Sequence, residues 1–222
     1  MIKPVVIFGI GDFADQVWYY FSEESVYKVV AFTVNAQYIK ETNFKGLPVV
    51  PFETVEKEFP PSEYDMFIAV GYNNLNRLRA KIFNEAKTKG YKMVSYVHPS
   101  AVLAKNFVMG ENCYLLERIS ALPYSRIGNG VIMHTDCGMG HHCYIGDFCF
   151  FSAACCISAN VTFGPYCFVS INTTFKPGVK IGHSVIIGAG ALIMEDAPDE
   201  SVYIERGTPR AKRSSKFYKN FI

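Results

Sequence analysis

Three of the five histidines, His134, His141 and His142, fall within nine residues of one another. An unperturbed imidazole titrates near pH ~6.5, which makes it the side chain suited to taking a proton from an amine close to neutrality. Acylation of an amine needs one such base, because the attacking nitrogen must shed a proton as the tetrahedral intermediate forms and collapses. Backbone amides nearby would stabilise the oxyanion. Two other readings of the histidines stand beside this one: ordinary surface or interface residues, and zinc ligands.

These histidines sit in a stretch with a fixed period. From Met109 to Ile193 every sixth residue is apolar, through Leu115, Ala121, Ile127, Met133, Met139, Ile145, Phe151, Ile157, Phe163, Val169, Phe175, Ile181 and Ile187. In a chain whose residues are 50% apolar, such a run has odds of about one in thirty thousand per register. The next position is often glycine, which suits a chain turning a corner after a short strand. Four residues after each apolar anchor comes a second inward-looking site, and six of the seven cysteines occupy it: Cys113, Cys137, Cys143, Cys149, Cys155 and Cys167. A small, weakly polar thiol fills a narrow interior, so these cysteines read as packing.

A six-residue period belongs neither to an α-helix nor to an ordinary strand, but to hexapeptide β-helices. Three units make one triangular coil, and the register, extended back through Leu103 and Val97, predicts five to six stacked coils. All three histidines are placed on the outside. A convex prism offers no enclosed pocket, so clefts must come from neighbouring copies, most simply a homotrimer.

The first half alternates strands and helices. Residues 4–8 read as a strand running into Gly9-Ile10-Gly11-Asp12-Phe13-Ala14 and a helix to about Phe21. Further strands are expected at 28–34, 65–70 and 92–97, with a helix between the last two. Leu75, Leu78, Ile82 and Ala86 mark its buried stripe, Asn73 or Asn74 its cap and Gly90 its end. This is a small parallel α/β sheet, with ligands expected at the carboxyl ends of its strands. Gly9, Gly11, Asp12, Asn35, Gly71, Tyr72 and Asn73 are the candidate substrate contacts there. The glycine pattern admits a dinucleotide, a sugar nucleotide or a purely structural turn. Thr33-Val34-Asn35 ends the second strand without the acidic residue that holds a dinucleotide's ribose. The domains expected are 1–96, Rossmann-like and nucleotide-sugar-binding; 97–200, the β-helix; and 201–222, a basic tail.

Charged residues make up 19% of the chain and the formal charge is +2, which excludes disorder and gives no general pull toward nucleic acid. No apolar stretch approaches the ~20 residues of a membrane span, and Met1-Ile2-Lys3-Pro4 does not begin a signal peptide. A cytoplasmic location with reduced thiols is expected.

The arrangement resembles the sugar acyltransferases that join a Rossmann-like amino-terminal domain to a left-handed β-helix, among them bacillosamine and perosamine N-acetyltransferases and sialic-acid O-acetyltransferase-like proteins. The likeness spans nearly the whole chain. It is carried by Val5-Ile7-Phe8-Gly9-Ile10-Gly11, Lys45-Gly46-Leu47-Pro48-Val49, Ile68-Ala69-Val70-Gly71, Val97-His98-Pro99-Ser100-Ala101, Gly140-His141-His142-Cys143-Tyr144-Ile145-Gly146 and Gly207-Thr208-Pro209-Arg210-Ala211.

The resemblance implies an acetyl-CoA-dependent N-acetyltransferase acting on a nucleotide-linked amino sugar for surface glycans such as lipopolysaccharide, without a metal. It places the general base on His141. The family's next residue is commonly acidic and here is His142. Many relatives have Asn where this chain has His134, and the family's acidic pair after the second strand is replaced by Val34-Asn35-Ala36. Acetyl-CoA is implied along the groove between two β-helices, near Ser152, Ala159, Ala189 and Gly190. Its phosphates would meet Arg206, Arg210, Lys212, Arg213, Lys216 and Lys219, although that basic run also reads as a solvated tail. The seven-residue spacing of His134 and His141 does not match that of zinc-binding hexapeptide carbonic anhydrases. Sugar O-acetylation and a non-catalytic oligomeric scaffold are the alternative functions.

Overall fold

A computed structural model describes residues 3–204 together with Gly207 and Arg210. The chain folds as a small α/β unit followed by a left-handed parallel β-helix.

In the α/β unit, β1 (Val5–Phe8), β2 (Val29–Val34), β3 (Asn43–Phe44), β4 (Leu47–Pro51) and β5 (Asp65–Ile68) form one sheet in the order β3-β4-β2-β1-β5. All neighbours are parallel except β3 with β4, an antiparallel edge hairpin absent from the sequence expectations. Apolar side chains alternate to both sides of the central strands, because helices cover both faces. Val5, Ile7 and Phe67 pack with α1 (Asp12–Glu23). Val6, Phe8, Met66 and Ile68 pack with α3 (Arg77–Thr88), and α2 (Val55–Glu58) adds Val55 to that side.

The helix α3 departs from its expected stripe. Its buried residues are Arg79, Ala80, Ile82, Phe83 and Ala86, whereas Leu78 is exposed and Leu75 precedes the helix. The cap is Asn76, in a left-handed conformation and without a side-chain capping bond, in place of Asn73 or Asn74. Gly90, at φ +94°, follows the helix as expected. Residues 92–97 do not form one strand. Met93 makes a lone bridge to Met66, and Tyr96–Val97 already belongs to the first coil of the β-helix.

The β-helix has three faces. The first carries seven strands from Tyr96–Val97 to Val202–Tyr203, the second six from Val102–Leu103 to Leu192–Ile193, and the third five from Val108–Met109 to Lys180–Ile181. Strands pair with a constant offset, Tyr96 on Tyr114 and Ile132 on Phe150, until Ile186 pairs with Val202 and the last coil shortens. We call the corner from first to second face the first edge, the next the second edge, and the return to the first face the third edge.

The periodic apolar residues fill the interior, where Phe151, Phe163 and Phe175 stack edge to face at 5.1 and 5.0 Å. The six repeat cysteines are buried among them. Each thiol also reaches a carbonyl of the next coil, as Cys143 does to Ser158 O at 3.0 Å and Cys149 to Gly164 O at 3.2 Å. Ser125 and Thr173 occupy the same position and donate in the same way, to Gly140 O and Gly188 O. Where the residue is Cys, Ser or Thr the position thus adds a hydrogen bond to packing, and Ile119, Val131, Val161, Val179, Val185 and Ala191 fill it by packing alone. Burial pushes the Cys113 thiol up to about 12, so it stays protonated.

The corner glycines have a different cause from the one expected. The left-handed corner residue lies two positions further on and is rarely glycine, as at Asn112, Asp136, His142, Phe148 and Asn160. The glycines instead let coils approach closely: a Cβ on Gly140 would lie 2.5 Å from Ala159 N.

Candidate functional site

The α/β unit lies against the first face and third edge, and leaves the second face bare. Val5, Phe21, Phe67 and Val94 share one core with Tyr114, Leu116, Ile132 and Phe150 of the first face. At the third edge, α3 is bound across successive coils. The Arg79 guanidinium, fully buried, donates to Gly130 O, Val70 O, Gly71 O and Asn76 Oδ1 at 2.6 to 3.0 Å, and at longer range to Phe148 O and Cys149 O. Asn76 Nδ2 donates to Cys167 O, and Arg77 reaches Ser184 Oγ while stacking on Tyr166. Burial lowers the Arg79 pKa to about 9, which still leaves a cation at neutral pH. A charge with only neutral partners is retained because six acceptors satisfy its planar fork.

This docking builds a cleft of about 390 Å³ lined by Asp12, Phe13, Gln16, Gly71, Tyr72, His134 and Phe150. Asp12, Phe13 and Gln16 come from the first turns of α1, and Gly71 and Tyr72 from the loop after β5. Tyr72 packs on Phe150 and Phe168 with ring centroids 5.0 Å away in each case. His134, on the first edge, lies 5.2 Å from the Phe150 ring, and its Nε2 is buried without a hydrogen-bond partner. Burial pulls the His134 pKa down, against an opposing pull from Glu117.

The other expected substrate contacts divide. Gly9 is a packing position: at φ +127° it brings the chain so close to the next strand that a Cβ would meet Ala69 O at 2.7 Å. Gly11 precedes α1 with open space around it. Asn73 is exposed next to Tyr72 and is not among the cleft's lining residues. Asn35 lines a second cleft of about 670 Å³ on the α3 side of the sheet, with Tyr38, Glu53, Leu78 and Lys81.

Glu53 is a residue that sequence reasoning missed. Its carboxylate takes Asn35 Nδ2 and Ala36 N, both at 3.0 Å. Slight burial opposes its charge, but these bonds and nearby Lys89 hold the carboxyl below the usual range. A carboxylate thus stands beside the end of β2 although it is contributed from the end of β4. The turn sequence 51–54 gave no signal of this, because only the β2–β4 pairing brings it there.

The structure separates the three candidate catalytic histidines. His141 and His142 lie on the second edge, exposed, with their Nδ1 atoms 3.0 Å apart and His142 packed on Tyr124. His134 lies across the second face from them. The expected cofactor contacts divide likewise. Ser152 is one coil beyond His134, and Ala189 and Gly190 lie on the same first edge, whereas Ala159 is one coil beyond His141. Arg210 is exposed, and Lys212 lies outside the described residues. Among the described residues there is no cluster of three metal-ligating side chains, and no helix long and apolar enough to cross a membrane.

No protein-family profile matches the chain. Its structural neighbours are hexapeptide-repeat acetyltransferases. The chain is similar to a histidine-to-asparagine variant of perosamine N-acetyltransferase from Caulobacter crescentus, solved with CoA and GDP-perosamine. The two are 29% identical with a TM-score of 0.82, over 92% of this chain and 95% of that one. The acetyltransferase domain of PglB from Neisseria gonorrhoeae, in complex with acetyl coenzyme A, shares the fold at 22% identity and a TM-score of 0.83, over 92% and 97% of the chains. WeeI from Acinetobacter baumannii shares it at 17% identity and a TM-score of 0.65, over 90% and 96%.

Proposed function

We propose that this chain is an acyltransferase that moves an acetyl group from acetyl-CoA to the amine of a nucleotide-linked sugar. The observation that carries the reading is the cleft that sets the glycine-rich turn of the α/β unit against His134 of the β-helix, on an architecture shared with an enzyme solved with CoA and GDP-perosamine. In this reading residues 1–96 hold the sugar nucleotide. The start of α1, at Asp12, faces its phosphates with unpaired backbone amides. Asn35 and Glu53 face its base or ribose, with Gly71, Tyr72 and Asn73 toward the sugar. His141 is the general base that takes a proton from the attacking nitrogen.

His141 reaches such a sugar only across the second face, so the complete site needs another copy of the chain. That face supports self-association. Its outward positions are Val102, Ser120, Gly138, Cys156, Thr174 and Leu192, all uncharged, with Val102 73% and Leu192 60% exposed. The third face, by contrast, carries Arg126 and Lys180. A homotrimer closed through second faces places the second edge of one protomer near the first edge of the next. CoA then lies in the groove between β-helices, past Ser152, Ala159, Ala189 and Gly190, with Arg210 and Lys212 toward its phosphates.

The test is thiol release from acetyl-CoA with UDP-, dTDP- and GDP-linked amino sugars. Turnover with at least one is expected. No turnover with any, together with no acetyl-CoA binding by calorimetry, overturns the proposal.

A further inference from the structure

Five buried side-chain oxygens and nitrogens lack a hydrogen-bond partner among the described residues, and four of them gather beside the cleft: Tyr96 Oη, Tyr114 Oη, Glu117 Oε2 and His134 Nε2. The fifth, Asp65 Oδ1, lies at the other end of the sheet, at the start of β5. Orphaned buried polar atoms are uncommon, and a concentration of them marks a place where polar chemistry occurs. The Tyr96 and Tyr114 rings are 5.5 Å apart, and Tyr20 of α1 packs on both. Phe13, which lines the cleft, packs on Tyr114 at 5.5 Å.

Glu117 is placed in this group by the register of the coils. Leu116 N donates to Met133 O and Asp136 N to Glu117 O, so Glu117 turns the first edge one coil before Thr135, the residue next to His134. One carboxylate oxygen accepts from the Tyr20 hydroxyl, which leaves Oε2 as the orphan. We propose that Glu117 is the acidic partner of His134, and that His134 so supported accepts the first of the two protons that an amino-sugar acceptor must release. This rests on the reading of the cleft as the acceptor site.

The proton count requires two acceptors. An amine of pKa near ~8 reaches the enzyme mostly as an ammonium ion. His134 removes one N–H proton, and the freed lone pair forms the C–N bond at the thioester carbonyl. Collapse breaks the C–S bond, and the second N–H proton passes through His141 to the departing CoA thiolate. The first proton leaves His134 for solvent, so one ammonium and one acetyl-CoA give one amide, one CoA thiol and one proton, with no change of oxidation state.

The electrostatics fit this division. Burial keeps the His134 imidazole neutral and able to accept. Burial also opposes charge on Glu117, but the Tyr20 hydroxyl, His98 and Arg118 hold its carboxyl ionised, below the usual range. Asp12 from α1 and Tyr72 from the loop after β5 line the cleft with His134, and Glu117 acts on it from the β-helix, while Tyr20, Tyr96, His98 and Tyr114 form the aromatic cluster behind the cleft. Arg118 and Asp136 pair with each other on the exposed side, at 2.6 Å. Glu117 is the carboxylate whose field acts on His134, so an imidazolium formed there is stabilised chiefly by it.

The experiment is an NMR titration of the His134 ring in the full chain labelled at histidine. In Glu117→Gln the His134 midpoint falls by about half a pH unit or more, and Glu117→Asp restores most of it. Tyr20→Phe, which removes the donor that partly neutralises the carboxylate, moves the midpoint upward. That opposite sign keeps the test decisive if Glu117→Gln folds poorly. A His134 midpoint unmoved by either folded variant overturns the inference. Absence of transfer by the wild type to any amino sugar overturns the parent reading instead, and leaves the titration intact as a test of the pair.

Discussion

The first and second edges of the β-helix are built from one repeat, yet they hold their histidines in opposite environments. His134 is enclosed by α1, the loop after β5 and Phe150, with Nε2 orphaned. His141 and His142 are exposed and contact each other. The repeat fixes only that a residue points outward. What covers it is decided by the α/β unit, which docks on the first face and third edge and leaves the second edge open. A histidine on an open edge does selective chemistry only when something else closes over it, whereas one in a cleft already has its surroundings fixed.

The comparison is broken most severely by a charge on the second face. Gly138 sits at the middle of that face, and a Cβ there meets only Ser120 Oγ, at 3.5 Å. Gly138→Arg is therefore tolerated by a single chain but not by a closed trimer. It is expected to give monomers by analytical ultracentrifugation and to abolish acetyl transfer. A trimeric, active Gly138→Arg protein would sink the shared-site proposal. Next in size is His141→Ala, which removes the proposed base and is expected to lower kcat/KM by about a thousandfold with unchanged circular dichroism. His134→Gln is expected to cost less, about tenfold near neutrality, because a fraction of the acceptor arrives already deprotonated. An equal loss in both variants would remove the distinction between the edges.

A smaller effect separates two glycines. Gly140→Ala forces a Cβ against Ala159 N at 2.5 Å and should destabilise by about 1–3 kcal/mol in urea melts. Gly11→Ala meets open space at φ −96° and should change stability by less than ~0.5 kcal/mol. An equal loss at both sites would mean that coil contact is not what selects glycine at Gly140.

The β-helix was legible because its signal is local. Each coil repeats one short instruction, an apolar anchor at every sixth residue with a second interior residue four positions on, and fifteen successive anchors from Met109 to Ile193 obey it. The glycine-rich turn and the loop at Gly71 were legible for a similar reason, since each follows its strand directly. What stayed hidden depends on contacts between distant segments. Arg79 looks like any helix-surface charge until the third edge supplies Gly130, Phe148 and Cys149 carbonyls. Glu53 looks like a turn residue until β4 pairs with β2. Glu117 looks like a corner charge until Tyr20 approaches from α1. Nearness in sequence misled in the other direction: seven residues put His134 and His141 in one motif, but that distance carries the chain across a whole face.

The weakest expected effect sharpens the comparison through stability. Burial depresses the His134 pKa in the folded protein, while the unfolded chain titrates at about 6.5. As pH falls from that value toward the folded midpoint, the unfolded state binds more protons than the folded one. Stability must drop through this window and level off below it. Glu117 limits the drop by favouring the imidazolium. The lowered carboxyls of Glu53, Glu56 and Glu117 act at still lower pH, since their stabilisation is lost only as pH falls below about 4.5 toward their folded values. Denaturant midpoints measured at pH 7.5, 6.5 and 5.5 for the wild type and for His134→Gln therefore isolate His134 by difference. The wild type should lose more stability than His134→Gln over that range. If His134→Gln shows the same acid slope as the wild type, the enclosed histidine is not held neutral by its cleft, and the contrast between the edges reduces to exposure alone.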